Sequence, residues 1–300
     1  MNYLVAGGTG MIGGPLCRLL ADQGHRVQVV TRHPGQRSAD ARITNVGWDA
    51  AALQAALEGC DGIINLAGES IAGGRWTPAR KDTLRASRLE TTRRLVDAIA
   101  AQPRRPGVLV SASAIGFYGP HGDEPLTESA GAGQGFLADL CQAWEAEARR
   151  AESLGVRVVC LRIGIVLAKD GGALEKMVPP FRWWLGGPLG SGRQWMSWVH
   201  RDDVVGLIAW SLARREVAGA VNATAPEPVT MRAFCGSLGR ALRRPSWAQV
   251  PAPILRLALG ELADVVLTGQ RVLPTNALAG GYTFRSPRLE PALQACLSVR

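Results

Sequence analysis

The chain has 300 residues, 47% of them hydrophobic and 20% charged, with a formal net charge of +9. These values fit one large globular domain or two modest ones and exclude a disordered or fibrous chain. No window holds the roughly eighteen apolar residues of a membrane span, and the opening MNYLVAGG lacks the basic leader of a signal peptide, so a cytoplasmic location is expected.

The first predicted element is a buried strand over 2–6, NYLVA. It runs into AGGTGMIGG, and a helix is predicted over 11–23 from Ile12, Leu16, Leu19 and Leu20 at helical spacing. Gly7, Gly10 and Gly13 form a GxxGxxG loop between that strand and that helix. Glycine permits the tight turn and the close approach of a pyrophosphate, and a helix N-terminus offers free N–H groups and a favourable dipole. In this position the loop points to a dinucleotide, with Gly7, Thr9, Gly10, Met11, Ile12 and Gly13 as candidate contacts. As a bare turn, the same glycines would only pack strand against helix.

A second strand is predicted over 26–31. An NAD site usually carries Asp or Glu about 20 residues past the glycines, bonded to the ribose 2′-hydroxyl. No acid occurs from 27 to 39; Thr31 and Arg32 stand there instead, with Arg37 close behind. A guanidinium matches a 2′-phosphate in charge and fork geometry, so the expected cofactor is NADP(H). The alternative for Arg32 is an ordinary surface arginine.

A weaker strand follows over 43–48, then a strand over 62–66, a long helix over 80–101, a strand over 107–112, a helix over 136–154 and a strand over 156–163. Strands alternating with long helices give βαβ units, and right-handed crossovers then give an α/β fold with a Rossmann-type doubly wound parallel sheet. After 163 the rhythm changes. Residues 168–198, rich in Gly, Pro and Trp, read as a loop-and-helix excursion over the carboxyl ends of the strands. A helix resumes over 200–214, a last strand lies at 220–223, and the chain from about 247 is helical and apolar before a short tail. The expected organisation is an NADP(H)-binding domain at 1–225 and a smaller, mostly helical C-terminal lobe at 226–300.

The six cysteines are scattered without a CxxC pair, as in a reducing compartment, and no His/Cys/carboxylate cluster has metal-ligand spacing. The basic charge is spread along the chain and accompanies no zinc-finger or RNP-like motif. The expected partner is an unidentified small molecule, with neither nucleic acid nor membrane; nothing in the sequence specifies an oligomeric state.

GGTGMIG at the start, NLAGE at 65–69, SASAIGFYG at 111–119 and WVHRDDV at 198–204 resemble the extended short-chain dehydrogenase/reductase superfamily. GESIAGGRW, SRLETT, FLADLCQAWE, RIGIVLAKDGGAL, PPFRWWLGGPLGSGRQWMSWVHRDD and GQRVLP narrow the match. Together they are similar to atypical, sugar-nucleotide-epimerase-like members that carry an extra C-terminal domain of unknown function, here from about 247. The resemblance implies NADP(H) binding, with Thr31 and Arg32 at the 2′-phosphate and Leu66, Ala67 and Gly68 under the adenosine end. It implies that Arg88 reaches the cofactor from the long helix, that Val166 borders the nicotinamide, and that the C-terminal part covers a substrate cleft.

One departure bears on chemistry. Working short-chain dehydrogenases use a Tyr to move the proton and a Lys one helical turn later to lower its pKa; the spacing of four puts both on one helix face. Aligning Glu145 with the glutamate that often follows this pair sets Leu137 and Cys141 in their places, and no Tyr or Lys occurs from 119 to 168. Ser113 remains, either as the family's catalytic hydroxyl or as a strand-end serine bonded to backbone. His200 is a second candidate acid or base, or a turn and helix-cap residue. Glu69, Tyr118, Arg193 and Trp198 are the remaining cleft candidates, with a structural role the alternative for Tyr118 and a core position for the tryptophan. The expected function is that of an NADP(H)-dependent oxidoreductase or epimerase-like protein with an altered acid–base set. The alternative is a non-catalytic NADP(H) sensor acting on a protein partner.

Overall fold

Apolar runs such as YLVA and GIIN have no polar alternation because helices cover both faces of the strands they form. The computed structural model describes residues 1–36, 38 and 40–298. Its central sheet has seven strands: β1 (Asn2–Ala6), β2 (Arg26–Val30), β3 (Ile43–Val46), β4 (Gly62–Asn65), β5 (Val108–Ala114), β6 (Arg157–Ile163) and β7 (Gly219–Ala223). Their order is β7-β6-β5-β4-β1-β2-β3, and every pairing is parallel. This is a Rossmann-type doubly wound sheet. The order reverses between β1 and β4, which opens a crevice at their carboxyl ends.

Helices α1 (Gly13–Asp22), α2 (Ala50–Leu57), α3 (Pro78–Ala100), α4 (Phe136–Arg149), α5 (Gly172–Arg182) and α6 (Arg201–Ala213) accompany the sheet. Leu16 and Leu20 of α1 and Val204 and Ile208 of α6 pack on one face, against Val5, Val29 and Ile64. Leu53 of α2 and Leu95 and Ile99 of α3 cover the other, against Leu4, Ile63 and Leu109. The C-terminal helices are α7 (Met231–Leu242), α8 (Ala252–Leu259), α9 (Leu262–Leu267), α10 (Thr275–Ala279) and α11 (Leu289–Leu297). A third core joins Leu174, Val178 and Phe181 of α5 to Phe234 and Leu238 of α7 and Leu293 of α11.

The main differences from the sequence expectation concern five helices. Helix α1 starts at Gly13 rather than 11, with Ile12 as its N-cap. The helix expected over 136–154 ends at Arg149 and continues as a 3-10 turn that Gly155 closes at φ 79°. Helices α2 and α7 were not expected; each starts at a side-chain cap, Asp49 accepting from the Ala52 N–H and Thr230 from the Ala233 N–H. The expected tail contains α11.

Candidate cofactor site and the family it belongs to

The strand register places the loops of the site side by side. Ala6 pairs with Val30 on one side and Asn65 on the other, so Gly7, Thr31 and Leu66 leave the sheet along one edge. Gly7 has φ 80°, and a Cβ there would stand 2.7 Å from the Leu66 carbonyl. A Cβ on Gly13 would overlap the Gly7 carbonyl oxygen. Both positions therefore require glycine, for close packing as well as for a ligand. Thr9 and Gly10 are exposed at the loop tip. No acceptor among the described residues takes the N–H groups of Met11 or Ile12, which precede α1. The Met11 side chain lies against the start of α5, where a Cβ on Gly172 would be 3.2 Å from its sulfur.

Next along this edge is a cavity of about 460 Å³ lined by Thr31, Arg32, Pro34, Gly47, Trp48, Asp49, Thr91 and Arg94. Thr31 Oγ1 accepts from the His33 N–H at 3.2 Å, which shapes the turn that presents Arg32. Arg32 is exposed, and no carboxylate pairs with it among the described residues. Arg37 lies outside the described residues. Asp49 is engaged as the α2 cap. Arg94 was missed in the sequence: it stands on the same α3 face as Thr91, three residues on, amid several other arginines of that helix. Two guanidinium groups thus border one cavity at the end of β2.

The turn after β4 is held from beneath. Asn65 is fully buried; its Nδ2 donates to Thr92 Oγ1 at 2.8 Å and its Oδ1 accepts from the Ala67 N–H at 3.3 Å. The Trp144 indole N–H also donates to Thr92 Oγ1, at 3.0 Å. Leu66 and Ala67 are thereby fixed, with Gly68 exposed above them. Arg88 lies under Gly68, donating to the Leu84 and Glu69 carbonyls at 3.1 and 2.9 Å, with its guanidinium 5.2 Å from the Trp144 ring. Burial lowers its pKa. Much of its donor capacity is spent on the protein, so it braces the loop. Glu69 points to Arg80 at 3.8 Å and is half-exposed. The loop that follows is tied to the C-terminal lobe by Arg75, which donates to the Leu257 carbonyl, and the first turn of α3 by the Lys81–Glu261 ion pair. Val166 sits in the short strand Ile165–Leu167, partly buried and paired with Val199.

Near the carboxyl ends of their strands, Ser113, Arg162 and Asn222 form one row across β5, β6 and β7. The Ser113 hydroxyl donates to Glu145 Oε1 at 2.7 Å. Arg162 donates from Nε and Nη2 to the two Glu145 oxygens at 2.8 and 3.0 Å. Its Nη1 donates to the Tyr118 hydroxyl at 2.9 Å, and that hydroxyl donates to Asn222 Oδ1 at 2.7 Å. The Arg162 guanidinium lies 3.4 Å from the Phe117 ring centroid. Every polar side chain in the row is buried. Burial raises the Tyr118 pKa against the opposing effect of Arg162.

This network corrects two expectations. Ser113 is committed to a buried carboxylate rather than free for a substrate oxygen, and Tyr118 is fully buried rather than lining a cleft. A single arginine inside the apolar run VVCLRIGIV was the available signal, because a buried guanidinium requires a carboxylate.

The places of the missing pair are apolar. Leu137 packs over Gly116, and Cys141 is buried beside Ser113 and Ala114. Burial pushes the Cys141 thiol up to about 11. All six cysteines are buried and shifted upward, so the native chain is expected to resist a disulfide thiol reagent at neutral pH and to react after denaturation. Fast native labelling of Cys141, located by peptide mass spectrometry, would contradict this burial.

Two further candidates are also structural. His200 Nδ1 accepts from the Asp202 N–H at 3.2 Å and caps α6, the turn-and-cap role that was its alternative. Trp198 is fully buried in the C-terminal core and donates to the Glu227 carbonyl at 3.1 Å; it is not a cleft wall. Arg193 is exposed, next to Gln194, whose amide donates to the Leu189 and Val266 carbonyls. Among the described residues no cluster could hold a metal ion and no helix is long and apolar enough to cross a membrane.

Comparison with known proteins places this architecture. The profile described as "NAD dependent epimerase/dehydratase family" matches residues 3–223, and that of a domain of unknown function (DUF1731) matches 250–296. An Arabidopsis thaliana protein named "Epimerase family protein SDR39U1 homolog, chloroplastic" is 40% identical over 99% of this chain and 87% of its own length. The Bacillus subtilis epimerase family protein YfhF is 37% identical over 100% of this chain and 99% of its own. The crystal structure of human epimerase family protein SDR39U1 (isoform 2) with NADPH superposes with a TM-score of 0.89, at 35% identity and 99% coverage of both chains. On the profile match and on this full-length likeness, the chain belongs to the NAD dependent epimerase/dehydratase family and carries the additional C-terminal domain of unknown function.

Proposed function

We propose that the chain is an NADP(H)-binding, oxidoreductase- or epimerase-like protein that acts on an unidentified small molecule without a Tyr–Lys relay. The observation that carries this reading is the cavity beyond β2, where Arg32 and Arg94 border one space and the acid in its lining, Asp49, caps α2. The human relative crystallised with NADPH supports the same cofactor. The residues fit the group: the glycine loop leaves room for a pyrophosphate, Met11 and Ile12 offer N–H donors, and Thr31 and Arg32 suit a 2′-phosphate. When bound, the nicotinamide supplies the hydride donor or acceptor. The protein's part is to hold the adenosine end by charge and the NLAG turn by Asn65 and Arg88.

NADPH is expected to bind more tightly than NADH when both dissociation constants are measured by fluorescence at one ionic strength. Arg32→Asp should cost about 1.5–3 kcal/mol in NADPH binding, roughly 10- to 150-fold, with little effect on NADH. Equal affinities in the wild type would remove the assignment. A second reading, a sensor whose NADP(H) occupancy modulates a protein partner, is favoured by one observation: Ser113 and Tyr118 are both bonded inside the protein, Ser113 to Glu145 and Tyr118 to Arg162 and Asn222.

A further inference from the structure

Three tryptophans and a leucine stand in solvent at one place on the C-terminal side of the molecule. Trp183, Trp184 and Leu185, at the end of α5, are 73%, 56% and 56% exposed, and Trp247 is 66% exposed. The two segments are joined: the Trp247 indole N–H donates to the Trp184 carbonyl at 2.9 Å and its backbone N–H to the Gly186 carbonyl at 3.0 Å. Large apolar side chains grouped on a surface mark an interaction site more often than singly scattered ones do.

Trp184 has φ 64° because it closes α5: its N–H donates to the Phe181 carbonyl at 3.0 Å and the Leu185 N–H to the Pro180 carbonyl at 2.9 Å, the pattern of a left-handed helix C-cap. The ring presented at this cap is more than half exposed.

The two segments that carry the patch bear only basic charge; the acids near them are Asp170 and Glu175, which border a cavity with Arg182, and Glu290, which pairs with Arg240. Residues 176–191 and 239–250 contain no Asp or Glu. Arg182, Arg243 and Arg244 have no carboxylate partner among the described residues, whereas Arg240 nearby is paired with Glu290. The Arg244 guanidinium lies 4.6 Å from the Trp184 ring centroid. Indoles settle where an apolar phase meets water, with the ring in the first and the N–H in the second. Arginines beside them match lipid phosphates, and each cation near an anionic leaflet adds to binding.

We propose that this patch is a peripheral docking surface for an anionic lipid bilayer, with the tryptophans entering the headgroup region and the three arginines on lipid phosphates. No part of the chain spans the membrane in this arrangement, and an acidic protein partner is the competing occupant.

The test is cosedimentation of the full chain with vesicles of phosphatidylcholine alone, or of equal parts phosphatidylcholine and phosphatidylglycerol. Binding is expected only to the anionic vesicles, with a blue shift of tryptophan fluorescence and weakening in high salt. Replacing Trp183, Trp184 and Trp247 by Ser should lower partitioning by at least about tenfold, and replacing Arg182, Arg243 and Arg244 by Gln should abolish the preference for anionic lipid. Trp184→Gly, which relieves the strained φ, should be at least as stable as the wild type yet bind vesicles less. Unchanged NADPH affinity shows that these surface variants are folded. The proposal is overturned if the wild type stays in the supernatant with anionic vesicles, or if the tryptophan variant binds them equally well. It is also overturned if light scattering gives a wild-type dimer that the variant converts to a monomer, or if the wild type ignores vesicles but binds immobilised polyglutamate.

Discussion

Glu145→Ala is expected to destabilise the protein by about 3–5 kcal/mol, because it leaves the Arg162 charge buried and uncompensated. The carboxylate is 4% exposed and takes both guanidinium bonds, the Ser113 hydroxyl and a longer contact from Arg149 at 3.5 Å. Arg162 is itself 3% exposed and lies on β6, between β5 and β7, with no route to water of its own. Urea unfolding of the wild type and the variant measures the loss. Replacing both Glu145 and Arg162 by Met should recover most of it, since apolar side chains of similar volume often substitute for a buried ion pair without penalty. A loss below about 1 kcal/mol for Glu145→Ala, the range of an exposed pair, would show that the row is hydrated and that Ser113 is available for chemistry.

How much of this was legible beforehand depended on the range of each interaction. The glycine loop could be read because its three glycines, the preceding strand and the following helix are contiguous, and Arg32 because an NAD-type acid is missing at a fixed distance. The seven-strand sheet followed from the alternation of apolar runs and helices. The Ser113–Glu145–Arg162–Tyr118–Asn222 network could not be assembled in the same way. Its members come from three strands, one helix and a turn, and only the sheet register brings them into one row. Trp198 and Tyr118 were cleft candidates by their motifs, with a core position and a structural role as the alternatives, and the structure buries both, one against Phe234 and the other against Arg162. Helix α2 has a readable start in Asp49, but the following AAALQAAL has little polar punctuation to mark a helical face.

Turnover should be low where a protein proton is needed. General acid–base catalysis typically contributes about 10²–10⁴-fold, and the groups that could supply it are accounted for. Leu137 and Cys141 occupy the usual places, burial pushes the thiol up to about 11, and the Tyr118 phenol is raised and bonded on both sides. Ser113 donates to Glu145, and His200 caps a helix. The protein saturated with NADP(H) is therefore expected to leave UDP-sugars and simple ketones unchanged, while binding the cofactor as tightly as the Arg32 cavity allows. Installing Leu137→Tyr with Cys141→Lys should bring at most weak ketone reduction, because new catalytic groups need positioning to about 0.5 Å. The most direct test measures, on one sample, NADPH binding by fluorescence, NADPH consumption by absorbance with a panel of ketones, and conversion of UDP-sugars by chromatography with the cofactor in either oxidation state. Saturable binding with turnover at the background rate is the predicted result; vigorous consumption or epimerisation would contradict it, and its loss in Ser113→Ala or His200→Ala would return that residue to the chemistry.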